Sequence, residues 1–354
     1  AIGLCIGVAM PPWNAIAGEM SPSWARVEMT AVAMILFCVG VGYTVGVLTV
    51  CRPEDMGWRN LTVGFGLQGA VVLVAAYFGL PESLRYSDYR GLRDQSVATL
   101  RWVRHLNGRH DVDVDLWRSS EPEACVGAAP VFSRHLLPTT CTMSLVAFFL
   151  NFSYYGSMYA LPQVLPGLTL GMSMLASFLL ASAVETAGFF FAIALCRRAT
   201  RKASLLVSVL GIGFTTAIFM GALRCSWSEG GDVGTSAAVV VNLAVAAGRL
   251  FQSVAWVVAY VYVSEVYPTS CRAFGASVAV AMGRIGGISA PMIFEWLLSA
   301  TSSPSVFFAL VLVLAALSAV LVRGLPVETK NRQLGEIGRE AHSVRLVTEL
   351  AKPV

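Results

Sequence analysis

Nine stretches of the chain are long, apolar and nearly free of charge. They lie at about residues 1–18, 28–50, 60–80, 139–161, 172–195, 204–223, 235–262, 273–298 and 304–322. A hydrocarbon layer about 30 Å thick is crossed by about 20 apolar residues in a helix. In lipid a segment must satisfy its own backbone, and a helix does so one segment at a time. The pattern therefore predicts nine membrane-spanning α-helices. Between the third and the fourth lies the one long polar stretch, about residues 81–138, where Leu100, Val103 and Leu106 fall at helical spacing among arginines. It reads as short amphipathic helices on a membrane face, or as a linker.

Nine spans put alternate loops on opposite sides, and basic residues mark the cytoplasmic one. Of the 25 Lys and Arg residues, twenty fall in one set of loops and three (Arg52, Arg59 and Arg224) in the other. Arg249 and Arg284 lie inside spans. This predicts a multi-pass membrane protein with segment 81–138 and the C-terminus in the cytoplasm.

Composition agrees. Charged residues make up 13% and hydrophobic residues 56% of 354 residues, and mean hydropathy is +0.68. Soluble domains carry about 25% charged residues. The net charge of +4 is small, and no basic tract is interleaved with aromatics, so nucleic acid is not an expected partner. The eight cysteines form no Cys-x-x-Cys pair and the histidines number four, so neither a metal nor a cofactor is expected. Cys51 and Cys225 share the outer side, where a disulfide is permitted. The chain opens inside an apolar stretch at Ala1 without Met or a charged leader, which reads as a sequence truncated at its N-terminus.

Two stretches repeat. Glu19-Met-Ser-Pro22-Ser-Trp-Ala-Arg26 and Glu265-Val-Tyr-Pro268-Thr-Ser-Cys-Arg272 both read E-x-x-P-x-x-x-R, 246 residues apart. Leu80-Pro81-Glu82-Ser83-Leu84-Arg85 matches Leu325-Pro326-Val327-Glu328-Thr329-Lys330 at nearly the same offset. The first and seventh spans then correspond, as do the third and ninth. The fourth to sixth need counterparts upstream of Ala1. The expected architecture is all-α, with twelve helices in two parallel six-helix repeats. That is the plan of the major facilitator superfamily, with nine of the twelve present. The divisions are residues 1–80 (rest of the first bundle), 81–138 (cytoplasmic loop), 139–322 (second bundle) and 323–354 (cytoplasmic tail). Glu19, Arg26, Glu265, Arg272, Glu82, Arg85 and Glu328 read as caps or gating latches at helix ends.

Within that superfamily the chain resembles the organic ion transporters, solute carrier family 22. Tyr262-Val-Ser-Glu265-Val-Tyr-Pro268-Thr is similar to the end of their helix 10. Gly283-Arg284-Ile-Gly286-Gly287-Ile-Ser-Ala-Pro291 is similar to helix 11, and Phe152-Ser-Tyr154-Tyr155-Gly156 to helix 7. Leu106-Asn107-Gly108 resembles the central loop and Glu328-Thr329-Lys330 the C-terminal signature. Synaptic-vesicle-type and sugar-porter relatives share parts of the pattern. The resemblance implies family helices 4 to 12, and it has departures. The family's D-R-x-G-R-R/K loop is Arg197-Arg198-Ala199-Thr200-Arg201-Lys202 here, and Ala187 stands where Pro is common. Arg197, Arg198 and Arg201 then read as inner-gate residues.

Charge inside a membrane is costly and marks function by default. Arg284 sits mid-span beside small residues. The resemblance implies Arg at this position in organic anion and carnitine-type members and Asp in cation-type members. A planar guanidinium suits a carboxylate or sulfonate. Glu185 reads either as an ammonium or proton site or as a partner of Arg284 or Arg249; Arg249 itself reads as structural. Glu185 and Arg284 together would suit a carnitine-like zwitterion. Glu295 lies nearer the outer end. Tyr154, Tyr155 and Trp256 are candidate cavity aromatics, with Tyr159 and Tyr260 nearby, and Asn151 and Gln252 add hydrogen bonds. The expected function is secondary transport of a small organic ion by alternating access, anion or zwitterion before cation, with the plasma membrane as the expected location. A transport-inactive receptor-like or scaffold protein of the same fold, and a sugar-porter or synaptic-vesicle-type relative, are the alternatives. All four histidines lie outside the spans, so an enzyme is not expected.

Overall fold

The computed structural model describes residues 12–50, 53–108, 129–134, 136–164, 174–228, 235–268, 271–325 and 327–330. Among them all regular structure is helical. Residues 12–20 form α1. Then follow α2 (Arg26–Val50), α3 (Pro53–Gly79), α4 (Leu84–Tyr89), α5 (Arg93–Leu106) and α6 (Leu137–Val164). The last five are α7 (Met174–Arg198), α8 (Arg201–Ser228), α9 (Thr235–Val266), α10 (Arg272–Thr301) and α11 (Ser305–Arg323).

Seven helices among the described residues are long and apolar enough to cross a membrane: α2, most of α3, and α7 to α11. The nine expected spans included two others. Residues 1–11 of the first lie outside the described residues. The other is α6, 28 residues long and about 42 Å at 1.5 Å per residue. Its length suffices, but its threonines, serines, tyrosines and Asn151 lower its hydropathy. Thr139, Thr140, Thr142, Ser144, Asn151 and Ser153 are all buried, so this polarity faces protein instead of lipid. In α3 the helix is broken at Gly57 (φ 67°), a backbone state open to glycine, and the apolar run starts at Arg59. Cys51 and the side chains of Cys225 and Arg85 lie outside what the structure describes, as do residues 109–128 and 331–354.

The chain divides into two compact units, residues 39–125 and residues 1–38 with 126–354. In the smaller unit α4 packs on α5, and the Ser83 hydroxyl caps α4 by accepting from Tyr86 N at 3.4 Å. Of the apolar positions expected to anchor this segment, Leu100 and Val103 are half-buried and Leu106 is exposed. The buried side chains of α5 are Ser96 and Thr99. Glu82 is exposed and accepts from Ser83 N at 3.0 Å.

In the larger unit α10 packs along α6, α8 and α7 pack on α9, and α11 packs on α8 and α6. An aromatic cluster fills the middle. The ring of Phe307 on α11 lies 5.4 Å from that of Phe152 on α6 and 5.3 Å from that of Phe294 on α10. Phe219 on α8 meets Phe308 at 4.8 Å. The α6–α10 crossing is close because glycine lines it. A Cβ on Gly286 would stand 2.4 Å from the Phe148 carbonyl oxygen, and one on Gly283 2.4 Å from Asn151 Nδ2. Small residues at such crossings let helix backbones approach in lipid, where no hydrophobic effect drives them together.

Candidate functional site

The close α6–α10 contact sets the candidate residues in two groups, one on each side of the adjacent Tyr154 and Tyr155. The two rings meet edge to face at 5.3 Å. On α9, Arg249, Gln252, Trp256 and Tyr260 follow at helical spacing along one face.

The first group joins α6, α7 and α9. Arg249 Nη1 donates to Glu185 Oε1 at 2.9 Å, with side chains 21% and 12% exposed. The Tyr154 hydroxyl donates to the same oxygen at 3.2 Å, and the guanidinium lies 5.9 Å from the Tyr154 ring centre. Of the partners expected for Glu185, the structure brings up Arg249. A pair this close neutralises both charges, and the phenol takes up further lone-pair capacity of the carboxylate. Beside Arg249 and Tyr154 is a cavity of about 70 Å³ walled by α6, α8, α9 and α11. Gln252 lies on it with both amide ends committed to α6. Its Nε2 donates to the Leu150 carbonyl at 2.9 Å, and its Oε1 accepts from Ser153 at 3.1 Å.

The second group surrounds Arg284. A narrow cleft of about 30 Å³ is lined by Asn14, Asn151, Trp256, Tyr260, Arg284 and apolar residues of α6, α9 and α10. The rings of Trp256 and Tyr260 stack at 5.5 Å. Arg284 Nη1 donates to the Tyr155 hydroxyl at 3.4 Å. Among the described residues no carboxylate lies within ion-pair distance of Arg284. Asn151 donates to the Ala147 carbonyl at 2.8 Å and packs on Gly283. Tyr159 and Gln163 instead hold Glu295 at the far end of α6, at 2.7 and 3.2 Å.

Asn14 was missed by sequence reading. Its Nδ2 donates to the Tyr260 carbonyl at 3.3 Å. The signal was present: Asn14 and Tyr260 are 246 residues apart, the offset of the repeated motif. Gly18 and Ser264 share that offset, and a Cβ on Gly18 would stand 2.9 Å from the Ser264 Cβ. Positions that correspond in the repeated pattern thus meet each other.

The motifs themselves exchange partners. Arg26 Nη1 donates to Glu265 at 3.3 Å, and Arg272 Nη1 donates to Glu19 at 2.5 Å. The four side chains are at most 6% exposed. Arg201 approaches Glu265 to 3.6 Å, and the Thr329 hydroxyl donates to it at 2.5 Å. Glu328 accepts from the Arg201 and Lys202 amides at 2.8 and 3.2 Å, closing the N-terminus of α8 where an anion is favoured. It also accepts from Thr329 N at 3.2 Å, the local bond that Glu82 and Ser83 make in the other repeat. Arg197 stands where the resembled family has Asp, and its Nε donates to Glu28 at 3.0 Å. Arg198 is exposed. Tyr267, just beyond α9, donates to Thr140 at 3.0 Å, and burial pushes its phenol up to about 12.

Among the described residues no cluster of His, Cys, Asp and Glu has the makings of a metal site. The family model described as "Sugar (and other) transporter" matches residues 1–341. The chain is 30% identical to the niacin transporter NiaP of Acinetobacter baylyi over 95% of its own length and 74% of that protein's. It is 28% identical to the synaptic vesicle 2-related protein of Rattus norvegicus, covering 95% of this chain and 62% of that one. Identity to solute carrier family 22 member 7 of the same organism is 27%, covering 93% and 59%. The chain thus spans less than two thirds of the latter two. The solved structure of the major facilitator superfamily proton:xylose symporter XylE superposes with a TM-score of 0.68 at 18% identity, over 92% of this chain and 69% of that one. The organic ion transporters are therefore one branch among several at comparable identity, and the likeness that spans the chain is broader. With its helices, repeat and glycine-lined crossing arranged in the major facilitator superfamily fold, the chain belongs to the sugar (and other) transporter family.

Proposed function

We propose that this chain forms part of a secondary transporter that carries a small organic anion, of the aromatic monocarboxylate class, by alternating access. The observation that carries the reading is Arg284, a mid-span cation without an ion-pair partner among the described residues. It faces the same cleft as the stacked Trp256 and Tyr260. A guanidinium donates to both oxygens of a carboxylate, and the aromatic pair offers a flat apolar wall for a ring. A relative named as a niacin transporter supports this class, since niacin is a pyridine carboxylate.

The ion pair between Glu185 and Arg249 bears on the choice between anion and zwitterion. With its charge met by Arg249 and Tyr154, Glu185 has little left to offer a quaternary ammonium group. That favours the anion over the carnitine-like zwitterion. The latches at the basic ends of the helices belong to one state of the cycle, closed toward the cytoplasm.

Radiotracer uptake into cells expressing the protein tests the reading, with nicotinate, a carnitine-like betaine and a quaternary ammonium compared in wild type and Arg284→Asp. Wild type is expected to take up nicotinate and the variant to lose at least nine tenths of that uptake. Uptake of the cation alone, unchanged in Arg284→Asp, would overturn the proposal.

A further inference from the structure

A third cavity, of about 260 Å³, shares no wall residue with the two described above. It lies at the basic ends of the helices, between Trp24 in the turn before α2, Glu28 in its first turn, the turn from α7 to α8 (Arg197, Arg201) and Lys330. Its charged walls are three cations and one carboxylate. Arg197 Nε is bound to Glu28 Oε1 at 3.0 Å, and Lys330 Nζ donates to the Arg197 and Ala199 carbonyls at 2.9 Å each.

Two buried atoms in these walls lack hydrogen bonds. One is the donor Arg201 Nε, on a side chain 3% exposed, whose charge is shared with Glu265 at 3.6 Å. The other is the acceptor Glu28 Oε2. Leaving such groups unmet is unfavourable, and each calls for water, an ion or a ligand. The cavity thus offers excess positive charge, with an unmet donor and an unmet acceptor buried within its wall residues. Trp24 stands on its rim 72% exposed, as suits an indole at the headgroup level of a membrane.

We propose that this cavity binds a phosphate group that also carries a hydrogen-bond donor, either an anionic phospholipid headgroup or free monohydrogen phosphate. The phosphate oxygens meet Arg197, Arg201 and Lys330, and the donor meets Glu28. Bound there, the group ties α2 to the α7–α8 turn and favours the latched arrangement. The lipid source rests on the cytoplasmic placement of the basic helix ends, where the leaflet is rich in anionic lipid; the site chemistry does not.

Melting of the purified protein in detergent, titrated separately with short-chain phosphatidylglycerol, short-chain phosphatidylcholine and sodium phosphate, tests the proposal. Phosphatidylglycerol or phosphate, or both, is expected to raise Tm by several degrees, and phosphatidylcholine is not. The Arg197→Gln/Lys330→Gln double variant is expected to bind about thirtyfold more weakly, since each basic residue near anionic lipid contributes about fivefold. Glu28→Gln keeps an oxygen that accepts from the donor while removing the negative charge that opposes the phosphate, and is expected to bind more tightly, an opposite sign that misfolding does not produce. A shift with phosphatidylglycerol alone identifies the lipid, and a shift with phosphate alone identifies the free ion. No shift with either, an equal shift with phosphatidylcholine, or undiminished binding in the double variant overturns the proposal.

Discussion

Replacing Glu265 by Gln leaves Arg26 and Arg201, each 3% exposed, without their carboxylate. Removing one partner of a buried ion pair costs about 3–5 kcal/mol, most of it the burden of the charge left behind. At about 1.4 kcal/mol per factor of ten, the latched state loses about 150-fold in population at the lower end of that range. The protein carries its own reporter. Cys271 lies in the second motif and is 2% exposed, whereas Cys141 is exposed and serves as an internal reference. When opening is fast and reversible, modification of a buried thiol tracks the open fraction. Maleimide labelling of Cys271, read by peptide mass spectrometry relative to Cys141, is expected to quicken about 150-fold in Glu265→Gln. Arg26→Gln leaves Arg201 and Thr329 on Glu265 and is expected to do less. The double variant is expected to fall short of the product of the singles, because the second substitution removes a partner already lost. Labelling in Glu265→Gln within tenfold of wild type, or independent multiplication of the two effects, would refute the latch.

Gly286→Ala sets a methyl 2.4 Å from the Phe148 carbonyl oxygen, where the obstacle is backbone and not a movable side chain. Separation of α6 and α10, a Tm lower by several degrees and lost uptake are expected. Gly40→Ala, with nothing within 4 Å, is expected to melt as wild type does. Glu328→Ala frees the Arg201 and Lys202 amides at the start of α8. A loss of about 1–2 kcal/mol is expected from such a cap, read as a lower midpoint in denaturant.

The spans were legible because lipid imposes one requirement along the whole of a helix. The stretch 304–322 is helix Ser305–Arg323, and 273–298 is Arg272–Thr301. Helix α6 was legible too, although composition alone does not mark it as a span, because its polar side chains turn toward α9, α10 and α11. The site was legible as residue types and not as pairs. Glu185 had two arginines within reach of the imagination, and the 64-residue separation to Arg249 says nothing of distance. Gln252 and Asn151 looked like free amides. Their commitment to α6 depends on how near two backbones come, which glycine permits but does not announce. The Arg197–Glu28 pair was hidden for another reason. Reading Arg197 as a departure from the Asp of the resembled loop looked only at the loop, and the acid that answers it lies on α2, 169 residues earlier.

The contacts at the 246-residue offset explain why the two motif pairs work as one device. Asn14 with Tyr260 and Gly18 with Ser264 are each a position meeting its own counterpart in the repeated pattern. Glu19 with Arg272 and Arg26 with Glu265 are then the same bond made twice, once on each side. Both bonds join the same two motifs, so in the proposed cycle parting the motifs strains both and the latch opens and closes in a single step. Buried ion pairs add little net stability, because desolvation offsets most of their attraction. Two of them hold geometry without holding it permanently. A transporter needs that balance at its closed end: a state well defined in shape, yet separated from its alternative by only a small free energy.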